Sequence, residues 1–209
     1  SSLFGVLLAT IDRYSLNYLS KLSDVGEYSL GYKIANTIKL IITSIQLAIS
    51  PIIYKAMYDQ NSKRFYSKIM TYMSFGTMIL VLGLSLYSKE IVRLFTSNAE
   101  YYSSFKVIPI ISLSIFFGML KYTSLIGLNI SKRTNIIGVT VIACALINLL
   151  LNYFFITYMG IIGAATATLF THIIFFIIIY SFAQQNYYIP YEINKLLLII
   201  ISGTIIILL

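Results

Sequence analysis

The sequence predicts an all-α integral membrane protein, a polytopic bundle of about six complete transmembrane helices and the start of a seventh. Hydrophobic residues make up 58% of the 209 residues, charged residues make up only 11%, and the mean hydropathy is +0.86. A soluble domain carries about 25% charged residues and a disordered chain is poor in apolar residues, so both classes are excluded. The apolar runs are long and do not alternate strictly, which favours helices over a membrane barrel.

Each predicted span is a mostly apolar run of about 20 residues. The spans are placed at about 3–20, 28–50, 69–87, 105–128, 134–156, 161–183 and 196–209. Pro51 is expected to close the second span, and Pro109 lies in the first turns of the fourth, where a missing N–H is tolerated. Because the last run stops without a closing loop, we expect the chain to be part of a longer protein.

The charges of the loops predict the orientation of the spans. The loops at 51–68, 129–133 and 184–195 carry seven Lys and Arg residues, whereas those at 21–27, 88–104 and 157–160 carry three. The positive-inside rule therefore places the first set in the cytoplasm and starts the first span on that side. Tyrosines that flank the spans are expected at the membrane interfaces: Tyr18, Tyr28, Tyr54, Tyr101, Tyr102, Tyr187 and Tyr188.

Charged residues within the first span point to a protein interior or a wet cavity, since each costs about 2.5–3.5 kcal/mol at the bilayer centre. Asp12 and Arg13 lie in the middle of this span, and Asn17 shares a face with Arg13. One interpretation is a neutralising pair that only assists packing. Neighbouring residues on a helix point about 100° apart, however, so the second interpretation gives at least one of them a partner on another helix or on a ligand.

The second span carries a polar stripe. Within one sector of about 60° lie Tyr28, Tyr32, Lys39, Thr43, Gln46 and Ser50, with Asn36 at its border. Hydrogen bonding between helices explains a hydroxyl in such a stripe, but it explains a lysine in mid-span poorly. We therefore expect Lys39 to line a cavity.

Further polar residues in the later spans are expected as secondary cavity-lining positions: Lys121, Asn148, Asn152 and His172. For Lys121 the alternative is snorkelling of its ammonium group to the cytoplasmic interface. For Asn148 and Asn152, four residues apart, the alternative is hydrogen bonding between helices. For His172 it is a hydrogen-bonded core position rather than a proton relay.

The composition excludes several classes of function. One cysteine, Cys144, and one histidine leave no internal disulfide and no zinc site, and no catalytic motif is found, so we expect neither an enzyme nor a cofactor. The net charge of +8 resides in short loops and within spans, which disfavours nucleic acid as a partner. Within the spans, several Lys and Arg residues are balanced by a single carboxylate, Asp12. This excess of positive charge suits an anionic ligand such as phosphate.

Four stretches in order resemble one family. They are "DRYSLNYL" at 12–19, "VGEYSLGYKIA" at 25–35, "PIIY" at 51–54 and "NLLLNYFFITYMGIIGAATAT" at 148–168. Together they are similar to polysaccharide biosynthesis proteins, the O-antigen-type flippases of lipid-linked oligosaccharides. That superfamily also holds the multidrug and toxin extrusion (MATE) exporters and the lipid II flippase.

The resemblance implies one lobe of a two-lobed transporter of the bacterial cytoplasmic membrane that works by alternating access. Residues 1–183 would form the second, C-terminal lobe of six helices, 184–195 a cytoplasmic loop, and 196–209 the start of an additional helix. The partners would be the lipid bilayer, the N-terminal lobe of the same protein and an undecaprenyl-diphosphate-linked glycan. By the same resemblance Arg13 and Lys39 would bind the diphosphate, and Asp12 would position Arg13 or couple transport to H⁺ or Na⁺.

Three alternatives remain at the level of the sequence. A cation-coupled multidrug exporter of the same fold would prefer a cavity rich in carboxylates. A polysaccharide polymerase or glycosyltransferase would need paired carboxylates and a sizeable loop, and no predicted loop exceeds about 18 residues. A non-transporting scaffold subunit would not need charge in mid-span.

Overall fold

The computed structural model describes residues 2–208 and shows a bundle of α-helices without a strand in that range. Ser1, the first residue of the predicted lobe 1–183, and Leu209, the last residue of the predicted helix start 196–209, lie outside this range. The seven α-helices are α1 (Ser2–Leu19), α2 (Leu22–Ala56), α3 (Ser62–Leu86), α4 (Ser88–Phe95), α5 (Val107–Ile130), α6 (Asn135–Asn186) and α7 (Ile193–Leu208). The predicted all-α class is confirmed.

The helices match a protein that crosses a membrane several times. Within residues 2–208, four segments are long and apolar enough to span it: Leu22–Ala56, Ser62–Leu86, Ala99–Ile130 and Asn135–Asn186. The helix α7 is apolar but shorter, and the continuous helix α1 carries two charged residues, Asp12 and Arg13, in its middle. Many large apolar side chains on outward faces are exposed, among them Leu47, Ile142 and Leu198, as a surface surrounded by lipid requires.

The 52-residue helix α6 is a hairpin of two arms, which correspond to the fifth and sixth predicted spans. At about 1.5 Å per residue a straight helix of this length would exceed two bilayer cores. The chain reverses at Gly160, whose φ of 55° and ψ of −129° are open to glycine and strained for other residues. The arms then pack side by side, with the Phe155 and Phe170 rings 5.8 Å apart and Asn148 bonded to Thr171.

Two predicted boundaries differ from the structure. Pro51 does not close α2, which continues to Ala56, because a single proline removes only one backbone hydrogen bond from a helix of 35 residues. The predicted loop at 88–104 is largely helical: it contains α4 and most of a 3₁₀ helix at Ala99–Lys106. The helix α4 has Lys89, Glu90 and Arg93 along one side and apolar residues along the other. This division is typical of a helix at the membrane interface.

The helix α5 is the centre of the bundle. It packs against α6, α3 and α2, and Phe116, Leu120 and Leu128 on it are fully buried. Such a helix, apolar on nearly all sides, is expected where protein surrounds it. The buried polar groups on α5, among them Ser114, Lys121 and Ser124, therefore face other helices rather than lipid.

A short connection at 187–192 is fixed to α3 before α7 begins. Ser67 donates a hydrogen bond of 2.7 Å to the carbonyl of Pro190, and Thr71 donates one of 2.8 Å to Glu192. Lys195 forms an ion pair of 2.7 Å with the same carboxylate. These bonds hold the start of α7 against α3.

Candidate functional site

A cavity of about 70 Å³ lies between α1, α2, α5 and the second arm of α6. It has room for about five water molecules. Its walls combine apolar side chains with the polar stripe of α2. The polar and charged lining residues are Tyr32, Asn36, Lys39, Thr43, Gln46, Ser114, Lys121, Tyr122, Thr168 and His172.

Two lysine ammonium groups meet the same turn of α1 at this cavity. The Nζ of Lys39 lies so close to Gly5 that a Cβ on that glycine would be 2.6 Å away. The Nζ of Lys121 lies 5.4 Å from the centre of the Phe4 ring and 4.5 Å from that of Phe175. Aromatic faces stabilise a desolvated cation, so Lys121, only 5% exposed, is held inside the bundle and does not snorkel.

Neither lysine has an acidic partner among the residues that the structure describes. Among the described residues the one ion pair within 4 Å joins Lys195 to Glu192, far along the chain from the cavity. None of the residues that line the cavity is Asp or Glu. The two ammonium groups therefore give the cavity a positive field that is not neutralised by the side chains around it.

Two further lining residues carry buried polar atoms that have no hydrogen-bond partner in the described part of the chain. These atoms are the Nδ1 of His172 and the Oδ1 of Asn36. The His172 ring meets the edge of Phe4 at a centroid distance of 5.9 Å. Buried polar atoms are nearly always paired, so orphans at a cavity indicate that water or a ligand completes them.

Asp12 does not line the cavity but lies behind its wall, fully buried. Its carboxyl group accepts hydrogen bonds from Tyr28 at 2.6 Å, Thr168 at 2.6 Å and Asn152 at 2.7 Å. The donors come from α2 and from both arms of α6, so one carboxyl group ties three elements together. Thr168 also lines the cavity and thus joins the two sites.

Several sequence-based placements change in this cluster. Tyr28, expected at the membrane interface, is fully buried because its hydroxyl donates to Asp12. Asn148 and Asn152, expected to line the cavity, are also fully buried and outside it. Asn152 donates to Asn148 at 3.1 Å, and Asn148 donates to Thr171, so the pair bonds helices together.

Arg13 and Asn17 also lie away from the cavity lining. Arg13 is half-buried, with its guanidinium carbon 5.9 Å from the centre of the Tyr32 ring, and its Nε has no partner in the described residues. Tyr32 reaches the cavity and donates a long hydrogen bond of 3.4 Å to the Gly5 carbonyl. Asn17 is exposed. The structure thus pairs Lys39 with Lys121, where the sequence had paired it with Arg13.

Sequence reasoning missed part of the lining. Phe4 and Gly5 are ordinary apolar and small residues of α1, and nothing in their pattern marks a site. Ser114, Gly118 and Lys121, by contrast, recur at helical spacing on α5, and this pattern identifies the face that meets the cavity. The described residues contain no group of three or more His, Cys, Asp or Glu side chains placed to hold a metal ion.

Comparisons with known proteins agree with this architecture. The MatE family model matches residues 1–154, well over half of the chain, which includes α1 to α5 and most of the first arm of α6. No curated protein and no solved structure matches the chain. With its several apolar membrane-spanning segments and this match, the chain belongs to the MatE family of membrane transporters.

Proposed function

We propose that this chain is the substrate-handling half of a flippase that moves an undecaprenyl-diphosphate-linked glycan across the bacterial cytoplasmic membrane for surface polysaccharide biosynthesis. A second lobe of the same protein would complete the transporter. The observation that carries the proposal is the cavity, which two lysines line and which no carboxylate among its described lining residues neutralises.

A diphosphate is the natural ligand of such a cavity. Lysine ammonium groups donate charge-assisted hydrogen bonds to phosphate oxygens, and these are about twice as strong as neutral ones. Both lysines pay a desolvation cost inside the bundle, and an anion between them offsets that cost. The unpartnered Nδ1 of His172 provides a further polar contact for a ligand at the same wall.

The proposed mechanism is alternating access. The two lobes would rock about the cavity and expose it first to the cytoplasm and then to the outside. Asp12 supplies a coupling element for H⁺ or Na⁺, because Thr168 both lines the cavity and donates to Asp12. A change at the Asp12 carboxyl group would alter the bond to Thr168 and the packing of α1 and α2 on α6.

Export of surface glycan in cells tests the proposal. In the full-length protein, Lys39→Ala or Lys121→Ala is expected to lower the rate of glycan export at least about tenfold. Each substitution removes a charged contact with the diphosphate worth about 1.5–3 kcal/mol. Lys33→Ala is the matched control, since Lys33 lies on the same helix, is exposed and does not line the cavity. Normal export by the Lys39→Ala, Lys121→Ala double variant at equal expression would rule the site out.

The rival function is a MATE-type multidrug exporter coupled to a cation. A cationic drug would need an accessible carboxylate, and the intramembrane one, Asp12, is enclosed by three neutral donors. The same cells distinguish the two functions. Drug resistance that depends on Asp12 but not on Lys39 or Lys121, with glycan export unaffected, would favour the exporter.

A further inference from the structure

A second concave surface lies between α2 and α3, and it is almost entirely apolar. This groove has a volume of about 470 Å³. Among its lining residues are Ile45 and Ile49 on α2, and Met73, Gly76 and Leu80 on α3. Both helices pack more extensively on α5 than on each other, which leaves the groove open along their outer side.

The groove borders the cationic cavity. Ile42, one turn after Lys39 on α2, lines both of them. A narrow cavity of about 10 Å³ lies between them, and its walls include Gln46 and Tyr122 from the cationic cavity and Ile49, Ile69 and Met73 from the groove. The polar site and the apolar groove are therefore neighbours separated by a thin wall of side chains.

We infer that the groove between α2 and α3 binds the hydrocarbon chain of an anionic lipid whose head group occupies the cavity of Lys39 and Lys121. The inference rests on the proposed function, which it deepens by assigning a site to the lipid part of the substrate. A molecule with a charged head group and an apolar chain requires a cationic pocket beside an apolar surface. Here the two lie side by side, because Ile42 lines both the cationic cavity and the groove.

The geometry favours a flexible chain over a protein helix as the occupant. The groove lies on the outer side of the bundle, where Ile45 is 41% exposed and Tyr72 is 71% exposed. On α2 it begins one turn beyond Lys39 and runs toward the end of the helix that loop charge predicts to be cytoplasmic. An apolar chain lying in the groove can thus remain in contact with bilayer lipid, while its head group lies on the other side of Ile42.

Gly76 offers a way to fill the groove without disturbing the bundle. A side chain built there meets no other atom within 4 Å, and the same holds for Gly83 on α3. Gly76 lines the groove, whereas Gly83 does not line it. Gly76→Trp and Gly83→Trp are therefore matched variants: both add an indole to an exposed face of one helix, but only the first blocks the groove.

The experiment measures binding of inorganic diphosphate, geranyl diphosphate and undecaprenyl diphosphate to the purified full-length protein in detergent. We expect the parent protein and Gly83→Trp to bind undecaprenyl diphosphate at least about tenfold more tightly than inorganic diphosphate. In Gly76→Trp this gain is expected to fall to less than about twofold, with affinity for inorganic diphosphate unchanged. The change is modest because the chain already lies in an apolar micelle before it binds.

Failures of the two proposals give different results. If diphosphate binds and depends on Lys39, but Gly76→Trp keeps the full gain with chain length, the groove is not the site of the chain and the inference is overturned. If both tryptophan variants lose the gain equally, the effect is not specific to the groove and the inference is likewise overturned. If inorganic diphosphate shows no binding that depends on Lys39, the proposed function itself fails.

Discussion

At the scale of single residues, the position of each charge matters more than the total. The chain carries fifteen Lys and Arg residues, yet only Lys39 and Lys121 line the cavity. Both are held by α1, one against Gly5 and the other over the ring of Phe4. A shift of this turn of α1 would therefore move both ammonium groups together.

The Asp12 cluster has a measurable role in stability. Asp12→Ala removes the acceptor of three buried donors, Tyr28, Asn152 and Thr168, and is expected to destabilise the protein by about 3 kcal/mol. Asn17→Ala, on an exposed position of the same helix, is expected to change stability by less than about 0.5 kcal/mol. Thermal unfolding of the full-length protein in detergent compares the two. Equal unfolding midpoints would show that the cluster does not hold the helices together.

The sequence predicted some of these residues and not others for a physical reason. Helical periodicity predicted that seven polar residues of α2 share a face. The structure places five of them at the cavity, Tyr32, Asn36, Lys39, Thr43 and Gln46, whereas Tyr28 and Ser50 do not line it. The contact of Asp12 with Asn152 joins residues 140 positions apart. Periodicity within one helix carries no information on which helix is its neighbour, so this contact and the burial of Tyr28 depend on tertiary packing.

At the scale of secondary-structure elements, the turn of α6 rests on one residue. Gly160→Ala is expected to destabilise the protein by about 1–3 kcal/mol, because its positive φ is strained for a side chain. Gly138→Ala is the control in the same helix, where an added Cβ meets open space. It is expected to stabilise by about 0.5–1 kcal/mol. Thermal unfolding shows whether each variant raises or lowers the stability of the protein. Equal destabilisation by both variants would contradict the role of the turn.

The connection before α7 is expected to depend on pH. The hydrogen bond from Lys195 and then that from Thr71 lower the pKa of Glu192 below its usual 4.5. Because the folded pKa is the lower one, the bonds of Glu192 to Thr71 and Lys195 are complete above about pH 4.5 and are lost as the pH falls through the folded value. Hydrogen exchange of these amides, corrected for its intrinsic pH dependence, measures the opening.

The control for this attachment is a carboxylate elsewhere on the surface. Glu192→Ala is expected to raise hydrogen exchange in the connection at all pH values, because the bonds to Thr71 and Lys195 are lost while that from Ser67 to Pro190 remains. Glu90→Ala, at an exposed position of α4, leaves the exchange unchanged. Opening that begins well above pH 4.5 in the parent protein would show that another group holds the connection.

The elements also show where prediction from the sequence ended. The seven predicted spans correspond to α1, α2, α3, α5, the two arms of α6 and α7, because length and hydropathy determine a membrane helix. Pro51 was wrong as a helix end, since α2 continues to Ala56. The helical content of 88–104 was missed because these short, charged segments lack the apolar length of a span.

At the scale of the whole molecule, membership in the MatE family establishes a membrane transporter, and the substrate remains the open proposal. The cavity reaches 70 Å³ in this chain, which suits a small charged group rather than a whole glycan. The proposed second lobe would complete the larger space for the sugar. In the proposed mechanism the two lysines would hold the head group, the groove between α2 and α3 would hold the chain, and the Asp12 cluster would be the coupling element.

The most direct test of an anion-binding cavity is competition between charged ligands on the full-length protein. Undecaprenyl diphosphate is expected to bind to the parent protein. Its affinity should fall at least about tenfold in the Lys39→Ala, Lys121→Ala double variant, and it should also fall as the salt concentration is raised. Lys33→Ala should bind like the parent protein. Tetraphenylphosphonium, a lipophilic cation, should not compete. Unchanged diphosphate binding in the double variant, or displacement by the cation with dependence on Asp12, would contradict the cationic cavity as the substrate site.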